Sequence, residues 1–183
     1  MIAILLLFLS AMPAFAFDEP KDFRGLKFNE PLESQIPNCR DVALQVTREH
    51  KEGCWSKSNG VYLIHQLGPL AGVYISSTIV FPINGLIGML NLSFAGSQFS
   101  TIVSLFKERY GQPTDEKESN WISKAGTKLP NRTLGWLGEN IQIELVKLGS
   151  NRDLSEATFT TKLWRDSKAD EMKKKIKDAA KDL

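Results

Sequence analysis

Along residues 97–113, apolar side chains recur at Phe99, Ile102, Val103, Phe106 and Tyr110, the spacing of one continuous face of an α-helix. Ser97 is placed to cap the start of this helix. Gly111 supplies a residue suited to its end, and Pro113 prevents its continuation. A stripe of this kind needs a surface to cover, and short alternating runs lie on both sides of it. The pattern therefore predicts a helix laid on a sheet.

Before that helix, Asn59-Gly60 and Asn84-Gly85 each separate two runs rich in β-branched residues. Asn-Gly accepts the two positive φ angles of a tight hairpin turn, so strands are predicted over residues 54–57 with 61–67 and over 73–81 with 86–94. In the 73–81 strand, Val73, Ile75, Ile79 and Phe81 are assigned to one face and Tyr74, Ser76 and Thr78 to the other. After the helix, strands are predicted near residues 118–125, 133–138, 141–148 and 156–164. Ile141, Ile143, Leu145, Phe159 and Leu163 are expected to face inward, and Gln142, Glu144, Thr158, Thr160 and Lys162 outward, as in an antiparallel sheet covered on one side.

Residues 17–20 read as a free lead-in, Leu26 and Phe28 as part of a short strand, and residues 31–37 as one or two helical turns. Residues 41–55 fit a strand or a helix, and the alternation of Val42, Leu44 and Val46 favours the strand. The fold class expected from these patterns is α+β, with two antiparallel β-meanders of about four strands each and the amphipathic helix packed between them. A short helical turn before the first meander and a long helix before the second suggest a tandem helix-plus-meander repeat. The expected division is residues 1–16, 17–96, 97–164 and 165–183.

The first of these segments changes the picture most. It combines an apolar run of about ten residues, too short to span a bilayer, with Pro13 and the small-x-small sequence Ala14-Phe15-Ala16. Residues 1–16 are therefore expected to be a cleaved signal peptide, leaving no membrane anchor. Cys39 and Cys54 then lie in an exported chain, where pairing is the expected state. A metal site or a nucleophile are the alternatives, but two cysteines do not complete a zinc site, and the two histidines are His50 and His65.

A net charge of +2, from 23 basic and 21 acidic side chains, argues against nucleic acid as a partner. Chemistry is sparse. His65 shares a strand face with Val61, Leu63 and Leu67, His50 sits in a charged stretch, and Asp115, Glu116 and Glu118 crowd a turn. No Gly-x-Ser-x-Gly or phosphate-cradling motif occurs, so no catalytic residue, metal ligand or cofactor is assigned. The four tryptophans, Trp55, Trp121, Trp136 and Trp164, fall at or near predicted strands. Residues 165–183 space Ala169, Met172, Ile176, Ala179 and Leu183 as a thin helical stripe among seven basic and five acidic side chains.

Phe106-Lys-Glu-Arg-Tyr110-Gly111-Gln-Pro113, followed by a polar turn and strands, resembles the helix end of small bacterial envelope proteins of the BamE (SmpA/OmlA) type and the β-lactamase-inhibitor-protein-like fold. The resemblance covers about half the chain. It departs from the lipid-anchored BamE pattern, because Phe17 rather than cysteine follows the expected cleavage point. It implies a helix ahead of an antiparallel meander and a surface that binds other proteins. The resulting expectation is a soluble periplasmic or secreted, non-enzymatic binding, assembly or inhibitor-like protein acting on a protein partner in the cell envelope. The alternative is a small hydrolase or ligand-binding domain with a pocket not evident from sequence. Gln142, Glu144, Thr158, Thr160, Lys162 and Trp164 are the expected partner-binding residues, hydrogen-bonding groups bordered by an aromatic anchor.

Overall fold

The computed structural model describes residues 17–41, 53–65, 67–124, 126–150 and 152–182. The expected signal peptide and most of the ambiguous 41–55 segment lie outside them. The described residues form ten strands: β1 (Asp22–Phe23), β2 (Leu26–Lys27), β3 (Cys54–Ser58), β4 (Val61–His65), β5 (Ile75–Ile83), β6 (Leu86–Ala95), β7 (Asp115–Ile122), β8 (Lys128–Leu137), β9 (Ile141–Val146) and β10 (Leu154–Thr161). Among the described residues two α-helices accompany them, α1 (Phe99–Tyr110) and α2 (Lys162–Ala179), with a 3-10 turn over Leu32–Ser34.

The Asn-Gly hairpins form as the sequence predicts, with Asn59 and Asn84 at φ 49° and 50° and the following glycines at 81° and 80°. The fold class does not. β1 and β2 make a two-stranded hairpin, and β3 to β10 make one eight-stranded antiparallel sheet in the order β3-β4-β5-β6-β10-β9-β8-β7. The molecule is mostly β, and the two separate meanders with a helix between them are replaced by one continuous sheet. The reason is the far edge of β6, which pairs with β10 over seven residue pairs from Leu154–Ala95 to Thr160–Met89. The tandem repeat falls as well, because the second set of strands runs back toward the first within one sheet.

The core lies on one face of this sheet. Cross-strand neighbours Tyr62, Val80, Leu90, Phe159, Ile143 and Trp136 form a buried row through β4, β5, β6, β10, β9 and β8. Over the β8–β10 side lies α1, with all five predicted stripe residues buried and Phe106 in ring contact with Trp136 and Phe159. The helix ends at Gly111 (φ 82°), whose carbonyl accepts a 2.8 Å bond from the Trp136 indole. Its start differs from expectation, since Ser97 lies in a 3-10 turn and the capping position is Gln98.

The N-terminal segment roofs the rest. Phe23 and Phe28 contact the Phe159 ring, and Glu33 accepts a 2.6 Å hydrogen bond from the Tyr62 hydroxyl. Cys39 is bonded to Cys54, and Asn38 bridges to Trp55, so the β3 edge is covered. The β7 edge is exposed but carries Asp115, Glu116, Lys117 and Glu118, charges that discourage strand addition.

Residues 17–20 are anchored rather than free. Phe17 packs edge-on to Tyr110, and the Glu19 carboxylate accepts the backbone N–H groups of Glu139, Asn140 and Ile141 at 2.6, 2.8 and 3.0 Å. Partial burial pushes the Glu19 carboxyl up, but these bonds together outweigh it and hold it below its ordinary value. A lowered folded-state pKa contributes stability above the unfolded value and loses it as pH falls. Glu19→Gln should therefore cost about 1 kcal/mol at neutral pH, with a smaller difference from the parent in acid. Urea unfolding at both pH values checks this, and equal stability at neutral pH would show that the anchor contributes nothing.

Candidate functional site

Alternation along the strands places a second set of side chains on the opposite, outer face. Thr158 stands opposite Glu144 and Asn91, and Thr160 opposite Gln142 and Met89. Four of the expected partner-binding residues, Gln142, Glu144, Thr158 and Thr160, thus share one patch on β9 and β10. Glu144 is exposed and the other three are half-buried. The Asn91 amide donates a 3.0 Å bond to Thr158 Oγ1 and extends this polar strip onto β6.

Lys162 and Trp164 are placed differently. They were expected on the last strand, but Thr161 ends β10 and caps α2, its hydroxyl accepting the Trp164 N–H while donating to the Gly88 carbonyl. The switch to helical spacing also leaves Leu163 exposed instead of inward-facing. Lys162 pairs with Asp166 at 2.7 Å. Trp164 rests on the outer face over the β5–β6 hairpin, its ring centroid 6.0 Å from that of Phe81.

This seat depends on Gly88, since a Cβ there would come within 2.7 Å of both Trp164 and Ile83. Gly88→Ala should therefore lift Trp164 off the sheet. The expected result is a red shift of tryptophan emission with the β-sheet circular dichroism retained, and an unchanged emission maximum would contradict the described packing.

Sequence reasoning missed the apolar part of this face. A register irregularity between Ile75 and Ser77, where Ser76 is the extra residue, resets the alternation of β5, so Thr78 and Val80 are buried while Ile79 and Phe81 face outward. Ile79 pairs with Leu63 and Phe81 with Met89. A half-buried aliphatic and aromatic patch on β4–β6 thus adjoins the polar strip on β9–β10.

Candidate chemistry elsewhere is limited. The exposed His65 ring lies 2.8 Å from Ser56 Oγ across the β3–β4 hairpin. One cavity, of about 520 Å³, lies between the start of α1 and β7–β8 and includes Arg132 and Lys147 in its lining. Another, of about 1210 Å³, lies between the N-terminal segment and the start of α2. His65 lines neither. Among the described residues no group of His, Cys, Asp and Glu is arranged to hold a metal ion, and no helix is long and apolar enough to cross a membrane. Trp136 is core, Trp55 and Trp121 are half-buried and bond the carbonyls of Ile36 and Gly149, and burial pushes the Tyr110 phenol up to about 12. His50 lies outside the described residues. Comparison with protein-family models, with curated proteins and with solved structures found no match to this chain.

Proposed function

We propose that this chain is an exported, non-enzymatic binding or assembly protein of the periplasm or the extracellular space, and that it presents the outer face of its sheet to a protein partner in the cell envelope. The observation that carries this reading is the composition of that face. A patch of Leu63, Ile79, Phe81 and Met89 stands beside the polar side chains of Asn91, Thr158, Thr160, Gln142 and Glu144 in direct cross-strand register. Trp164 borders the apolar patch at Phe81. An apolar centre beside hydrogen-bonding groups and an aromatic anchor suits an interface with a dry middle and a wet rim.

The Cys39–Cys54 disulfide suits an oxidising compartment, in keeping with the leader pattern of residues 1–16. The resemblance of residues 106–113 to envelope proteins points the same way, and the proposed binding requires no cofactor. The test uses affinity capture from envelope extract with the chain from Phe17 onward, alongside Glu144→Lys and Thr160→Arg variants. A stoichiometric protein captured by the parent should be lost, by about tenfold or more in affinity, from both variants while their thermal midpoints stay within a few degrees. Undiminished capture by both variants would place the interface elsewhere.

A further inference from the structure

The C-terminal helix contributes almost nothing to the core. From Lys168 onward every residue of α2 is exposed, with Met172 and Ile176 at 59% and 63% of their full accessibility. What anchors α2 is the first turn, where Trp164 sits on the sheet and the Arg165 guanidinium donates to the carbonyls of Gly138 and Glu139. About three further turns then stand in solvent.

Those turns are patterned. Ala169, Met172, Ile176 and Ala179 recur at alternating steps of three and four, the a and d positions of two heptads. The flanking g positions are Lys168 and Lys175, and the central e position is Lys173. The preceding e position, Asp166, is held by Lys162. Lys168 pairs with Glu171 and Lys173 with Asp170 along the helix, exposed pairs worth little that a partner's carboxylates can replace, so lysine still edges the apolar seam on both sides. Two copies pairing in parallel would set Lys168 of one against Lys173 of the other. Antiparallel pairing would bring the Lys168 and Lys175 positions together. Either arrangement opposes self-association, and the same edges attract glutamates on a different helix.

We propose that the exposed seam of α2 is a second docking surface, distinct from the sheet face, and that its partner is an amphipathic helix with an apolar a/d stripe and acidic e and g positions. The alanines let such a helix approach closely. They also make the seam too narrow, and too poor in aromatic residues, for a membrane surface.

The test uses the full chain from Phe17 onward with two fluorescent three-heptad peptides, both with Ile and Leu in the seam, one with glutamate and one with lysine at every e and g position. Anisotropy should show saturable binding of the glutamate peptide alone. Ile176→Gln should weaken it by about tenfold or more, and combined Lys168→Glu, Lys173→Glu and Lys175→Glu should reverse the preference toward the lysine peptide. Glu144→Lys should leave both results unchanged, which separates this surface from the sheet face. Failure to bind, equal binding of both peptides, or binding only to phosphatidylglycerol vesicles would overturn the proposal. So would concentration-dependent dimerisation of the parent chain abolished by Ile176→Gln.

Discussion

Replacing Phe159 by alanine should cost the fold about 3–5 kcal/mol, the largest loss expected from any single truncation in this chain. Phe159 is fully buried at the middle of the sheet, paired to Leu90 on one side and Ile143 on the other. Its ring is met by Phe23 at 5.0 Å, Phe28 at 6.0 Å, Phe106 at 5.9 Å and Tyr110 at 6.1 Å, so strand, roof segment and helix converge on one side chain. Those neighbours belong to separate elements and cannot all close on the gap, and the cavity term therefore adds to the lost transfer energy. Phe106→Ala should cost a comparable amount. The double variant should lose less than the sum, since the two rings touch. Denaturant unfolding measures all three, and a loss below about 1 kcal/mol for Phe159→Ala would contradict the described core.

The second large effect is expected from the disulfide. Cys39 and Cys54 are 15 residues apart, and opening a loop of that length should cost about 3 kcal/mol in the chain-entropy account. The bond also holds the end of the roof segment against the β3 edge, where the backbone N–H groups of Trp55 and Cys39 donate to the carbonyls of Pro37 and Trp55. Cys39→Ser with Cys54→Ser should therefore destabilise the chain and increase hydrogen exchange at these two amides more than at β9 or β10. Stability equal to the parent would mean that the bond constrains nothing. Thiol labelling of the unfolded, non-reduced parent should find no free cysteine.

How much of this was legible depended on distance along the chain. The Asn-Gly hairpins and the α1 stripe were readable because their determinants lie within a few residues of one another. The pairing of β6 with β10 was not, since it joins segments whose contacts, such as Asn91 with Thr158, are 67 residues apart and both strands read equally well as edges of separate meanders. The same applies to Glu19, whose carboxylate caps a turn 120 residues away. Local ambiguity caused the other errors. Thr158, Thr160, Lys162 and Trp164 continue a period of two, and only the Thr161 cap reveals that the chain becomes helical there. Of the candidate site, the polar half was readable from alternation in β9 and β10, while the extra residue Ser76 in β5 concealed the apolar half.

Site-specific photocrosslinking addresses the functional reading most directly. A photoreactive residue placed in turn at Leu63, Gln142 and Thr160 on the outer face, and at Glu108 and Ser104 on the exposed side of α1, would report which surface meets a partner in the intact envelope. The outer-face positions should yield one common adduct and the α1 positions should not. Adducts confined to Glu108 and Ser104, with none from Leu63, Gln142 or Thr160, would contradict the assignment of the outer face as the binding surface.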